Sequence, residues 1–155
     1  MVLIKELAMK LSTRSRYGLR LMFELALHFG KGSVFLKDIA KKQDISEKYL
    51  SKLIIPLKAA KLVNSARGAH GGYTIAREPS LITVREIVEV LEGDISPVEC
   101  VKNSGVCKRA STCPTRDIWC SLEREIFNVL ENITLQNIVR THETKSAQRN
   151  FSYTI

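Results

Sequence analysis

Ser46-Glu47-Lys48-Tyr49-Leu50-Ser51-Lys52-Leu53-Ile54 and, a short way downstream, Arg67-Gly68-Ala69-His70-Gly71-Gly72-Tyr73 are the stretches on which the fold turns. In the first, Ser46 stands where a helix cap belongs, and Glu47 falls in the first turn, favourable against the helix dipole. Tyr49, Leu50, Leu53, Ile54 and Leu57 then give an apolar face at helical spacing. Pro56 predicts a kink, or an end to the regular helix near Ile55. In the second stretch, strands over residues 62–65 and 73–76 flank a glycine-rich, basic turn. A helix followed by a hairpin with a basic tip is the arrangement of a wing beside a DNA-reading helix. A purely structural hairpin is the alternative.

Toward the N-terminus, residues 36–42 predict a short helix with Ile39 and Ala40 on its buried side. Gln43-Asp44-Ile45 predicts a tight turn. With the helix that follows, this pair reads as a helix-turn-helix. Ser12 or Thr13 caps an earlier helix reaching about His28, with Tyr17, Leu21, Leu25 and Phe29 as its apolar positions. Residues 1–10 read as a short leader. It has no long apolar segment, so a cytoplasmic protein with no membrane partner is expected.

Beyond the hairpin, Thr83 caps a helix over 84–92 and Gly93 stops it. Residues 94–113 show no period and read as a loop. A long helix over 115–131 carries Ile118, Leu122, Ile126 and Val129, continued by Ile133 and widened by Trp119, Phe127 and Leu130. So broad an apolar face predicts a dimerisation helix; burial within its own chain is the alternative. Thr134 opens a short helix to about Arg140. The expected architecture is mainly α with a small β-hairpin wing. A winged helix-turn-helix domain spans 11–93 and a cysteine loop 94–114. The dimerisation and C-terminal helices span 115–140, and a flexible tail 141–155.

Charge divides the chain the same way. Residues 1–80 hold 15 Lys and Arg against 6 Asp and Glu, a balance of +9, whereas residues 81–155 balance at −1. One half suits a polyanion and the other suits another task. The exposed front of the second helix offers Ser46, Lys48, Tyr49, Ser51 and Lys52 to DNA, although Tyr49 reads almost equally well as a core aromatic. Arg67 is the candidate minor-groove contact, with His70 beside it. Arg14, Arg16 and Lys41 are candidate phosphate contacts. No catalytic triad, phosphate-binding loop or dinucleotide fingerprint is present, so no enzyme is expected. An aromatic stacking platform for RNA is also lacking.

The four cysteines follow the pattern Cys100-x6-Cys107-x5-Cys113-x6-Cys120. Structural zinc sites use closer pairs, and ferredoxin spacings do not match. Flexible thiolates can still surround a cluster, which ranks iron–sulfur first, zinc second and a redox disulfide third. Cys120 is either a fourth ligand at the start of the long helix or a small core residue beside Trp119.

On Leu11-Ser12-Thr13-Arg14-Ser15-Arg16-Tyr17-Gly18, Ile45-Ser46-Glu47-Lys48-Tyr49-Leu50, Arg67-Gly68-x-x-Gly71-Gly72-Tyr73, the Ile87-Val88-Glu89-x-x-Glu92-Gly93 segment, the cysteine loop and Asn132-Ile133-Thr134-Leu135, the chain resembles the Rrf2 family of winged-helix regulators. The resemblance covers about residues 11–140. It implies a homodimer joined through the long helix, a pseudo-palindromic duplex operator and, usually, repression. It further implies DNA contacts from Ser46, Lys48, Tyr49, Ser51, Lys52 and Arg67. Cluster-bearing members hold a [2Fe–2S] or [4Fe–4S] cluster with three cysteines, which match Cys100, Cys107 and Cys113. Two departures stand out. Where cluster-biogenesis members place a histidine ligand this chain has Arg116, and where nitric-oxide-sensing members place an acidic ligand it has Arg16. Both shift weight onto Cys120. They also leave room for a cluster-free regulator controlled by a protein partner, a small effector, zinc or direct thiol chemistry.

Overall fold

The computed structural model describes residues 11–68 and 71–152. The leader over 1–10, His70 and the end of the tail lie outside the described residues. Helix α1 (Thr13–Leu27) starts where Ser12 caps it, the Ser12 hydroxyl accepting from the Arg14 N–H at 3.1 Å. The pair α2 (Leu36–Gln43) and α3 (Glu47–Ala59) follows. The turn between them uses Asp44 in the left-handed region (φ 52°), a conformation that Asp tolerates better than most side chains. Strands β1 (Val63–Ala66) and β2 (Gly72–Ile75) pair antiparallel, with Val63 opposite Ile75 and Ala66 opposite Gly72. After a 3-10 turn at Pro79–Leu81 come α4 (Val84–Glu92), the short α5 (Glu99–Lys102), α6 (Pro114–Glu131) and α7 (Leu135–Ser152). Thr83 caps α4 as expected, accepting from the Glu86 N–H.

The core lies where α1, α3 and α4 meet beneath the hairpin. Leu21, Leu25, Leu50, Leu57, Ile87 and Leu91 are essentially sealed from solvent. Phe29 is not among them; it lies past the end of α1 and is exposed.

Two further expectations need correction, and the wing gains an edge that the sequence reading did not include. Helix α3 does not end near Ile55 but continues through Pro56 to Ala59. Pro56 deprives the Lys52 carbonyl of its helical partner, but Lys52 is on the exposed side. On the opposite side, Leu53, Ile54 and Leu57 remain buried and hold the last turn. The wing also has a third edge: Val34 and Tyr73 exchange backbone hydrogen bonds of 2.9 and 2.8 Å. Finally, the segment after Arg140 is not a loose tail, because α7 runs to Ser152. Its first turns are anchored by buried Leu135 and Val139, and by the hydrogen bonds from Val84 N–H to the Ile133 carbonyl and from Leu135 N–H to the Ile82 carbonyl. Good helix formers such as Glu143, Lys145, Ala147 and Gln148 carry it onward. The His142 ring meets Phe23 of α1 edge-on at 5.2 Å.

Helices α1 and α4 touch at Gly18. A β-carbon there would stand 2.1 Å from Leu91 Cδ1, itself fully buried. Gly18→Ala is therefore expected to cost about 1–3 kcal/mol through overpacking. Gly18→Ala/Leu91→Val should lose less than the sum of its single variants. Urea unfolding measures both quantities, and strict additivity would show that the two residues do not press on each other.

Candidate functional site

One hollow brings together four of the residues proposed for DNA: Ser46, Lys48, Tyr49 and Lys52. The N-terminus of α1 and the start of α3 enclose an open hollow of about 530 Å³ lined by Thr13, Tyr17, Asp44, Ile45, Ser46, Lys48, Tyr49 and Lys52. Lys48 and Lys52 are exposed one turn apart, and Arg14 and Arg67 are also exposed. Ser46 stands at the cap position of α3 but makes no capping hydrogen bond, which leaves its hydroxyl available to a ligand. The Ser51 hydroxyl instead donates back to the Glu47 carbonyl at 2.9 Å. Tyr49 packs partly into the core, the aromatic half of the reading given for it. Its ring packs edge-on against Tyr17 at 5.8 Å, while its hydroxyl reaches the rim and shares a 3.0 Å hydrogen bond with Thr13. Arg16 and Arg20 lie against the Tyr17 ring, so this aromatic pair sits within a cationic collar.

Two acids that sequence reasoning missed hold this surface in place. Glu24 is 1 % exposed and binds Lys42 Nζ at 2.7 Å and the Gln43 amide. Arg20 reaches the same Gln43 through its side chain at 2.7 Å and through its carbonyl. The signal was legible, since Glu24 is an acid three residues after Leu21 on the apolar stripe of α1. Glu92, the last residue of α4, accepts from the Ser12 N–H (2.8 Å), the Ser12 hydroxyl (2.6 Å) and the Ser15 N–H (3.3 Å). Burial pushes the Glu92 carboxyl up, but the combined hydrogen bonds from Ser12 and Ser15 outweigh it and hold the group below its ordinary value.

The cysteine loop begins immediately beyond Glu92 and is tied down at several points. Asp94 pairs with Lys102 Nζ at 2.8 Å, and this contact first, with the Ser96 N–H next, lowers the Asp94 carboxyl to about 2. The Ser96 hydroxyl reaches Glu123 of α6. Arg116 of α6 donates from Nε to the Cys100 carbonyl at 2.9 Å. Cys100 lies in α5, Cys107 in the connecting loop, Cys113 at the cap position of α6 and Cys120 within α6. All four are free thiols and half-buried. The Cys113 thiol shares a 3.1 Å hydrogen bond with the Thr115 hydroxyl. That contact first, and then the N–H groups of Arg116 and Thr115, hold it below the ordinary cysteine value; burial and Asp117 oppose them.

This arrangement does not fit a metal or cluster. Among the described residues, no three His, Cys, Asp or Glu side chains converge to hold a metal ion. Cys120 follows Cys113 by two helical turns, about 10 Å along the axis of α6. Arg116 lies between them with its Nε committed to a carbonyl.

Helix α6 itself has no buried residue. Ile118 is 61 % and Val129 56 % exposed, so the described residues do not cover this face. Its later half is fixed to α4, where the Arg85 guanidinium lies 4.3 Å from the Phe127 ring centre and contacts Glu131. No described helix is long and apolar enough to cross a membrane.

Comparison with known proteins gives a consistent result. The Rrf2 family model, described as an iron-dependent transcriptional regulator, matches residues 11–141. Protein rrf2 of Nitratidesulfovibrio vulgaris is 42% identical over 132 residues, which cover 85% of this chain and 88% of that protein. The HTH-type transcriptional regulator CymR of Bacillus subtilis is 43% identical over 130 residues, covering 84% and 89%. Its solved structure, described as the global cysteine regulator of that organism, superposes with a TM-score of 0.74 at 42% identity and covers 85% of this chain and 97% of that one. The structure of T. potens IscR matches with a TM-score of 0.75 at 42% identity, covering 88% and 90%.

The Glu92 clamp makes a pH-dependent prediction. Because the folded carboxyl lies below its ordinary value, its stabilisation is present above the ordinary carboxylate range and is lost as pH falls through the folded value. Glu92→Gln should be about 1 kcal/mol less stable near neutral pH. The gap should narrow once the pH drops below about 4. Paired urea titrations across that range measure it; a gap that is independent of pH would contradict the clamp.

Proposed function

The chain belongs to the Rrf2 family of DNA-binding transcriptional regulators and is not an enzyme; from that membership we propose a homodimeric repressor of a pseudo-palindromic operator, controlled by direct thiol chemistry in its cysteine loop. The observation that carries the thiol reading is the position of Cys113. It occupies the N-cap position of the helix whose apolar face lies uncovered, so a change in its chemical state would act on the element that would join two protomers. Support comes also from the scattered arrangement of the four thiols and from similarity to a regulator named for cysteine. An encountered peroxide would be attacked by the Cys113 thiolate at one oxygen. The O–O bond breaks, a sulfenic acid forms, and the second oxygen leaves as water after taking a proton.

Contacts connect that event to DNA. From Cys113 the route runs through Arg116 to the Cys100 carbonyl in α5, through Lys102 to Asp94, and along two residues of chain to Glu92. Glu92 holds Ser12, and neighbouring Thr13 shares its hydrogen bond with Tyr49 on the recognition surface. Lys48, Lys52, Arg14 and Arg67 would neutralise phosphates along this face, with His70 at the wing tip as a further candidate contact.

A second reading retains an iron–sulfur cluster on Cys100, Cys107 and Cys113, with Cys120 as the candidate fourth ligand. It is favoured by the iron-dependent description of the family and by similarity to a protein named IscR. It requires the loop to adopt a different conformation from the one described here.

Two experiments test the proposal. Val129→Asp should yield a folded monomer by light scattering at concentrations where the unaltered chain is dimeric. Operator affinity should fall about 100-fold or more, because the two half-sites no longer bind jointly. An unchanged dimer would remove α6 as the interface. For the thiol, a duplex selected from a random library serves as the operator in fluorescence anisotropy. Peroxide should change its dissociation constant by about fivefold or more. Cys113→Ser, which places a favourable cap residue at the start of α6, should abolish the response, while Cys120→Ser should keep it. A response that survives in Cys113→Ser overturns the thiol reading. One that arises only after anaerobic reconstitution with iron and sulfide establishes the cluster instead.

A further inference from the structure

Between α5 and the start of α6 lies a second hollow, of about 320 Å³, lined by Ser104, Cys107, Lys108, Ala110, Ser111 and Arg116. Its lining holds two cations and no acid. The wider segment from Cys100 to Arg116 contains Lys102, Lys108, Arg109 and Arg116 without a single Asp or Glu. Of these, Lys102 is paired with Asp94, but neither Lys108 nor Arg116 meets a carboxylate among the described residues. The Arg116 Nε is held by the Cys100 carbonyl, which fixes the guanidinium while leaving its two terminal nitrogens free to donate. The hydroxyls of Ser104 and Ser111 have no protein partner among the described residues either. A concave site with unpaired donors, one of them held in place, and an excess of positive charge suits a small anion. Its volume is at the lower end of the range for small-molecule clefts, about 300–1,000 Å³. What sets it apart from a simple anion site is a nucleophile in its wall, the half-buried thiol of Cys107.

We infer that this hollow docks the carboxylate end of an anionic low-molecular-mass disulfide and that Cys107 exchanges with it to form a mixed disulfide. Lys108 and Arg116 hold the carboxylate, Ser104 and Ser111 supply further hydrogen bonds, and docking brings the disulfide against the thiol. The Cys107 thiolate attacks the nearer sulfur as the S–S bond breaks. The bonding pair leaves on the far half, which departs as a thiolate. Cys107 is thereby oxidised and the departing half reduced, with the disulfide as the oxidant. The site rests on the reading of this loop as thiol-reactive, and adds to it a chemical class of reactant and a second reactive position.

The test uses the reduced full-length chain with limiting amounts of two disulfides of similar size: dithiodipropionate, a dianion, and hydroxyethyl disulfide, which is neutral. Peptide mass spectrometry reads the ratio of modification at Cys107 to that at Cys113, which lies outside the hollow. The ratio should be about tenfold higher with the dianion and should fall toward the neutral value at high salt. Lys108→Gln, an exposed change that the fold tolerates, should reduce the preference; Lys108→Glu should abolish it, and Arg116→Gln should act in the same direction. Equal ratios for the two disulfides, or a preference that survives all three substitutions, would overturn the assignment. The readout is independent of DNA. A chain that shows the preference while its operator affinity ignores every thiol modification would keep this site and lose the regulatory reading. A Cys113-dependent peroxide response without any preference would do the reverse.

Discussion

A single carboxylate at the end of α4 organises the molecule. Glu92 collects donors from Ser12 and Ser15, which fixes where α1 begins and so where Thr13 and Tyr17 meet Tyr49 of α3. The next residue, Gly93, takes a positive φ of 79° and ends the helix. The cysteine loop departs from that point. The helix-turn-helix surface and the cysteine loop therefore share one anchor, although their residues are far apart in sequence. The close approach of α1 to α4 at Gly18 holds the same junction from within the core.

The second constraint is an unmet one. Helix α6 presents a broad apolar face and buries none of its residues, yet it is not loosely attached. Arg85 fastens it to α4 through Phe127 and Glu131. An apolar surface held in a fixed orientation differs from an unstructured hydrophobic segment in that its partner meets a preformed shape. The ordering of α6 has been done before association, so less of the interaction energy is lost to it.

Much of this was legible in the sequence because the relevant signals are local. Helical spacing, caps at Ser12 and Thr83, and the glycine-rich basic turn located α1, α4 and the wing within a residue or two. What was not legible depends on contacts across the chain. Ser46 has the chemistry of a cap and occupies that position, yet its hydroxyl does not cap. Pro56 carries a strong local penalty that burial of its neighbours overrides. Val34 joins the wing through backbone groups alone, which no side-chain pattern announces. Glu92 looks like one more acid before a helix stop until Ser12 folds back onto it, 80 residues away along the chain. For the cysteines, spacing alone left several chemistries open. They stand on α5, in a loop, at the cap position of α6 and two turns further along it, and no three of them converge.

The connection at Thr83 and Thr134 gives α6 a mechanical asymmetry. Backbone hydrogen bonds from Val84 to Ile133 and from Leu135 to Ile82 pin the chain just past its C-terminal end, with Arg85 bracing the final turns. Toward the other end the restraints are side-chain contacts, from Arg116 near the start of the helix and Glu123 at its middle. An 18-residue helix is about 27 Å long. Tilting about its end against the winged domain, this arm would move most at Cys113. A displacement of about 1 Å at Cys113 becomes a tilt of about 2° over that length. In a symmetric pair both arms would tilt, so the change in separation between two recognition helices would be twice the contribution of each.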